Sequence, residues 1–282
     1  MTRGLLAVLL VASVSSAQEP PRFRWQAGQA ITYAAQQTTT VAETTRDDST
    51  GGPTVALTVT KLAVTRRWDV AAVDPAGVAT VRMTVLGMKQ EIVRPGPKDK
   101  DGKPTVDKLV LDSATDEGRQ AMAAFLGKPI VTARVDARGQ LLDATAEGGS
   151  ADRVRAELPF RLVLPEGRPS VGAAWDRAFD IKLNPPHGTG EAYPATQTYT
   201  LKGEKDGFLV VGVGTALKAP PKDPGELPPL VPLLWEGEVY FQPATGRYAG
   251  ARLSVKREVK NHQGEGTKFE YESKYEEGLA EK

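Results

Sequence analysis

Ala251-Arg252-Leu253-Ser254-Val255-Lys256-Arg257-Glu258-Val259-Lys260, followed after a short gap by Lys268-Phe269-Glu270-Tyr271-Glu272-Ser273-Lys274-Tyr275, decides the fold class. Leu253, Val255 and Val259 alternate with Arg252, Ser254, Lys256, Glu258 and Lys260. Phe269, Tyr271 and Tyr275 alternate with Lys268, Glu270, Glu272 and Lys274. A period of two puts every second side chain on the same face of a strand, so each segment has one dry and one wet face. That is the pattern of an antiparallel sheet covered on one side. The charges also suggest a register. Lys260 opposite Gly266 would set Glu258 against Lys268 and Lys256 against Glu270, with Asn261 to Glu265 as the loop. A shift that sets Glu258 against Glu270 would place like charges opposite each other.

The same alternation extends through the chain. Ile31, Tyr33, Ala35, Gln37, Thr39 and Val41 share one side of the first strand. Val55, Leu57 and Val59 continue in the next segment, but Leu62 and Val64 have the opposite parity, which predicts a bulge near Thr60-Lys61. Val81, Met83 and Val85 follow the turn Asp74 to Gly77, and Leu209, Val211, Val213, Thr215 and Leu217 follow the turn Lys205-Asp206-Gly207. Two helices are expected. One is capped by Ser113 or Thr115 and runs through Met122 and Leu126 to Gly127. The other is capped by Ser150, carries Val154 and Leu158, and stops at Pro159. Both would cover or plug a sheet. Thr45 to Pro53, Arg94 to Lys108 and Ala219 to Pro232 read as loops, the last stiffened towards polyproline II by six prolines.

The expected fold is therefore mainly β: antiparallel curved sheets, as two related halves or one extended sheet, with one or two short helices. Ala27 to Tyr33 and Val171 to Trp175 open comparable strand-turn-strand blocks, a weak internal repeat. It divides the chain into a signal segment 1–17, a β-rich half 18–157 with the helix near 113–127, and a second β-rich half 158–282.

Met1 to Ala17 reads as a secretory signal. Arg3 provides the positive end, Leu5 to Val11 the apolar run, and Ser15-Ser16-Ala17 the small residues before Gln18. The run is shorter than a bilayer span, no Cys follows it to accept a lipid, and no later segment reaches transmembrane length. The expected location is periplasmic or extracellular. Without Arg3 the basic and acidic side chains are equal in number, which gives no electrostatic reason to seek nucleic acid or an anionic membrane. With no cysteine there are no disulfides, so stability must come from burial.

A search for chemistry yields no catalytic, cofactor-binding or metal-binding residue. His187 and His262 sit in separate loops, too few for a zinc site, and read as solvated. Asp99-Lys100-Asp101-Gly102 has Pro97 and Lys108 where a calcium loop needs its first and last carboxylates. Gly212-Val213-Gly214 lies inside a strand with no helix after it to hold phosphate. No Gly-x-Ser-x-Gly elbow occurs. Trp25, Trp68, Trp175 and Trp235 read as core or edge packing.

Phe23-Arg24-Trp25-Gln26-Ala27-Gly28, together with Leu164-Pro165-Glu166 and Val171-Gly172-Ala173-Ala174-Trp175, resembles a group of secreted bacterial β-rich proteins of unknown function. That group has a W-x-x-G opening and a central L-P…V-G-x-x-W. The resemblance spans about Phe23 to Leu279 and brings no functional residue with it. Two classes of function fit this sequence. One is a non-catalytic envelope binding protein for an apolar or amphipathic ligand, by fold-level analogy with half-barrel lipid carriers, with a cavity open near 219–232. The other is a structural or protein–protein interaction module that uses sheet edges or the proline-rich segment. A secreted hydrolase has the least support.

Overall fold

The structure, a computed structural model, describes residues 19–46, 51–101, 103–147, 151–185 and 188–280. The signal segment, Ser150 and His187 lie outside them. The fold is one antiparallel sheet of twelve strands: β1 (Ala30–Arg46), β2 (Pro53–Val73), β3 (Ala79–Lys98), β4 (Pro104–Asp112), β5 (Pro129–Val135), β6 (Leu141–Ala146), β7 (Ala174–Lys182), β8 (Ala192–Lys205), β9 (Phe208–Leu217), β10 (Glu236–Gln242), β11 (Arg247–Lys260) and β12 (Lys268–Leu279). Their order is β6-β5-β3-β2-β1-β12-β11-β10-β9-β8-β7, with β4 added on β3 beyond the end of β5. The chain starts at the centre, meanders to one edge, crosses to the other edge, and meanders back until β12 pairs with β1.

The crossover carries α2 (Ala151–Glu157), which packs on both edge strands, β6 and β7. Arg155 donates to the Ala144 carbonyl on one side, while Arg177 donates to the Ala156 carbonyl from the other. The sheet therefore curls until its two edges face each other across α2.

Its concave face is filled by the chain itself. Leu158, Phe160, Leu162 and Leu164 are buried against Phe23, Trp68, Phe241 and Tyr248. Leu158 and Arg161 have left-handed φ of 60° and 52°, bends in a strap, 158–164, that is buried along its whole length. Polar groups of the strap are met from outside: Trp175 Nε1 donates to the Val163 carbonyl at 2.6 Å, and Arg138 Nε to that of Leu164 at 2.8 Å. Gly139, at φ +85°, lies where a Cβ would strike the Leu162 carbonyl and the Phe23 ring, so close passage of the strap requires glycine there.

Several expectations are corrected. β1 and β2 pair without interruption, so no bulge sits at Thr60-Lys61. The β2–β3 ladder instead carries extra residues at Leu86 in β3, opposite Thr65/Arg66, and at Ala71 in β2, opposite Thr80/Val81, and Val55, Leu57 and Val59 stay on the outer face, away from Leu62 and Val64. Segment 94–108 is not a solvent loop but the β3–β4 hairpin. Its prolines at 95 and 97 are tolerated because β2 stops pairing with β3 at Val59↔Val93, leaving one side of that stretch without a ladder to break. The proline-rich segment forms 3-10 turns at Pro224–Glu226 and Val231–Leu233 and buries Leu230 and Val231, instead of standing free as polyproline II.

The β11–β12 hairpin takes the register with Glu258 opposite Glu270 and Lys260 opposite Lys268. Burial decides it. This register sets Val259 against Phe269 on the inner face and lets the longer loop bury His262 and Thr267. The exposed charges find partners along their own strands, Lys260 with Glu258 and Lys268 with Glu270. A like-charge pair at the surface costs a few tenths of a kcal/mol, less than burying an aromatic side chain returns. The helix α1 (Asp116–Ala121) starts as expected at Thr115, whose Oγ1 accepts from the Gly118 amide at 3.1 Å, but it ends at Met122 and does not run on to Gly127, because Leu126 bridges to Val85 of β3.

Candidate functional site

The inner face has two halves. Beside α2 and the strap it is closed by aromatic packing, with the Phe160 ring 5.2 Å from that of Trp25 and 5.3 Å from that of Trp68. Over β11 and β12 it is covered by 227–235, whose Trp235 ring meets that of Tyr275 at 5.9 Å. The cavity expected beside 219–232 is therefore occupied by Leu230, Val231, Leu233 and Leu234.

Beyond this cover, β1 to β4 continue. Their inner-face rows are Val64–Met88, then Leu62–Gln90–Leu111, then Thr60–Ile92–Leu109. Leu62, Met88, Ile92 and Leu111 are half-buried and Leu109 is 55% exposed; none of them belongs to a core cluster. They form an apolar, concave surface that no other segment closes among the described residues. A polar seam on β1 and β12 borders it: Gln37 Nε2 donates to Ser273 Oγ at 3.0 Å, and Ser273 Oγ lies 2.9 Å from Thr39 Oγ1. Thr60 and Gln90 stand within the surface itself, beside Ile92 and between Leu62 and Leu111.

At the inner end of the seam lies a buried ionic network. Arg66 Nε donates to Glu277 Oε1 at 2.7 Å, and Tyr248 OH donates to Glu277 Oε2 at 2.7 Å. Tyr33 OH donates to the Tyr248 carbonyl, and Arg66 Nη2 to Tyr275 OH. Arg161 stacks 4.4 Å above the Tyr275 ring and reaches Glu157 at 3.4 Å, which Arg153 also holds. Burial disfavours the charged Arg66, but Glu277 and Tyr275 outweigh it and keep the guanidinium charged well above its usual range. Burial and Glu277 together push the Tyr248 phenol up, so it remains a neutral donor. The network fixes β2, β11, β12 and the strap to one another; each of its carboxylates is answered by guanidinium, and it holds none ready to act as an acid.

Two open grooves lie elsewhere. One of about 810 Å³ runs over Gly250 and Gly278 on the outer face, beside Tyr240 and Glu238. The other, of about 680 Å³, lies between Pro20, Pro21, Val171 and Leu209, with Arg24 and Arg168 at its rim. Glu238 of the first is occupied by Lys202 and by Tyr240 OH, both at 2.9 Å.

The residues weighed in the sequence fall apart in space. His262 is not solvated: it is buried, with Nε2 3.0 Å from Glu43 Oε1, and fastens the β11–β12 loop to β1. Asp99 accepts from the Asp101 and Lys103 amides in a surface turn. Gly212 and Gly214 lie within β9. Trp68 and Trp235 are core residues, and Trp25 and Trp175 cap it, donating to the Asp136 and Val163 carbonyls. The W-x-x-G and V-G-x-x-W motifs are thus structural, with Gly28 and Gly172 at φ +80° and +84° in the turns that lead into β1 and β7. Among the described residues no three His, Asp or Glu side chains converge as metal ligands, and no helix is long and apolar enough to cross a membrane.

The open surface went unread because 94–108 looked like a loop and the expected bulge merged the two faces of β2. Its one legible signal is Leu109-Val110-Leu111 between Lys108 and Asp112, a short apolar run with charged ends.

No family model and no curated protein matches this chain. Among solved structures it is similar to lipovitellin, from a study of lipid–protein interactions in that protein, at 12% identity and a TM-score of 0.48. The match covers 92% of this chain and 26% of the lipovitellin chain, so the chain spans about a quarter of that relative. It is also similar to DynF from the dynemicin biosynthesis pathway of Micromonospora chersina, at 10% identity and a TM-score of 0.20, covering 99% of this chain and 94% of that one. Neither likeness is strong enough to carry an argument about function.

Proposed function

We propose that this is an exported, non-catalytic binding protein of the bacterial envelope for an apolar or amphipathic ligand, held against the open half of the concave face. The observation that carries this reading is the set Leu62, Ile92, Leu109 and Leu111: four large apolar side chains on one concave sheet face, outside both cores. Soluble proteins rarely leave such a surface without a use. Gln37 and Thr39 along its β1 margin, with Thr60 and Gln90 among the apolar side chains, supply hydrogen-bonding groups for a polar head, which suits an amphipathic ligand better than a purely apolar one. Export rests on the signal-like segment Met1 to Ala17, and the motif resemblance to secreted β-rich proteins belongs to the same proposal.

The test is a titration of the mature chain with a fluorescent naphthylamine probe, alongside native mass spectrometry of protein purified without detergent. Ile92→Glu puts a carboxylate at the middle of the surface and is expected to weaken probe binding by about tenfold or more, since a charge in an apolar site is costly. Equal binding by the variant and the wild type would overturn the proposal. N-terminal sequencing of the secreted product should begin at Gln18; a chain retained whole in the cytoplasm would remove the exported half of the reading.

A second reading, a protein-interaction module, is favoured by one observation. Val55 and Leu57 are exposed on the outer face, in line with Val59 and beside Ala42, where no packing accounts for them.

A further inference from the structure

β4 is a free edge. It pairs with β3 on one side, and among the described residues no strand pairs with its other side. Natural edges are kept from pairing by short length, bulges, or charges that point into the path of an incoming strand. Here every charge of β4 is tied back to β3: Asp107 to Arg94 at 2.8 Å, Lys108 to Glu91 at 2.9 Å, and Asp112 to Lys89 at 2.9 Å. Between them Leu109 and Val110 stay exposed, on opposite faces of the strand. The edge is thus apolar on both sides, locally neutral, and open.

The order of residues names its occupant. Lys108-Leu109-Val110-Leu111-Asp112 is self-complementary when read against its own reverse. Two antiparallel copies related by a two-fold axis perpendicular to the sheet keep the same face on both strands, so the axis must pass through a residue pair i↔i. With Val110 on the axis, Val110 meets Val110 on the outer face. Leu109 meets Leu111 twice on the inner face, and Lys108 meets Asp112 twice on the outer face. Each Lys89–Asp112 pair then continues into the Lys108–Glu91 pair of the second copy, four charges of alternating sign. The neighbouring registers do worse. An axis at Leu109 sets Lys108 against Val110 and Asp107 against Leu111, and an axis at Lys108 sets two lysines face to face. Like charges or a charge against an apolar side chain disfavour both.

We infer that the protein is a homodimer joined through β4, the two sheets running on as one across a two-fold axis at Val110. Other extended chains could add to a free edge, but only a second copy matches this charge order by construction. This inference does not depend on the ligand reading.

The chain has no cysteine, which makes the test direct. Oxidised Val110→Cys should run as a covalent dimer on a non-reducing gel, because directly opposed residues on paired strands lie within disulfide reach. Val55→Cys, even more exposed on the outer face but on β2, should stay monomeric. By sedimentation the mature wild type should be a dimer that dissociates on dilution. Val110→Lys, which opposes two lysines on the axis at a position exposed in the monomer, should be a monomer with an unchanged circular dichroism spectrum. A wild type that is monomeric even when concentrated would overturn the inference. So would a dimer that persists in folded Val110→Lys, or Val55→Cys cross-linking as readily as Val110→Cys.

Discussion

Arg66 lies on the inner face with Glu277 as its answering carboxylate, and Glu277 has no side-chain exposure. Removing one member of a buried ion pair leaves the other charged and without water, which costs more than the pair itself is worth. Glu277→Ala is therefore expected to lower stability by about 3–5 kcal/mol in equilibrium urea unfolding. Tyr248→Phe, which removes one donor to the same carboxylate, should cost about 1.5–3 kcal/mol. An effect below 1 kcal/mol for the first, about the net worth of one ordinary hydrogen bond, would mean that water reaches Arg66. Glu157 supplies the pH dependence. Burial pushes its carboxyl up, but Arg153 and Arg161 together outweigh burial and hold it below its ordinary 4.5. Its contribution is thus complete above the unfolded value and is lost as pH falls through the lower folded one. Glu157→Gln should flatten the acid limb of the stability curve; an unchanged limb would assign acid unfolding to other carboxylates. None of this was legible in the sequence. Arg66 and Glu277 are 211 positions apart, and the spacing of charges along a strand does not tell which are buried.

The β11–β12 hairpin illustrates what a strand's own residues can and cannot fix. Alternation assigned each residue to the correct face, because the period of two is a property of the backbone. Register does not follow from the strand charges, because loop burial outweighs them and nothing local says that His262 and Thr267 will be covered. The observed pairing is testable without a structure. Glu258→Cys with Glu270→Cys places two thiols directly opposite, where Cα atoms lie about 4.5–5.5 Å apart, and should oxidise to an internal disulfide. Glu258→Cys with Lys268→Cys puts them on a diagonal of roughly 7–8 Å and should not. The reverse outcome would restore the shorter Asn261–Glu265 loop. The β3–β4 hairpin teaches the same lesson. Prolines at 95 and 97 argued for a loop, and they sit in a strand because β2 ends its pairing first.

At the scale of the whole molecule, the chain's route makes two β-rich stretches into a single structure. Strands from 18–157 form one wing of the sheet and strands from 158–282 the other, yet the wings meet at β1 and β12 in the middle, and α2 ties their outer edges together. The strap 158–164 lies between them, with Phe160 against Trp25 and Trp68 of one wing and Tyr248 of the other. Neither wing can unfold without uncovering the strap, and the strap cannot leave without exposing the core of both. Unfolding in urea should therefore be one transition, with tryptophan fluorescence and far-ultraviolet circular dichroism changing together. Trp25 and Trp68 report on the first wing and Trp175 and Trp235 on the second, so a wing that melted alone would separate the two signals. Amide exchange should be slowest where β1 meets β12 and fastest at the outer ends of β2, β3 and β4, which extend beyond the strap and share in neither core. Two resolved transitions would break this argument, and would mean that the β1–β12 ladder joins two cores that stand independently.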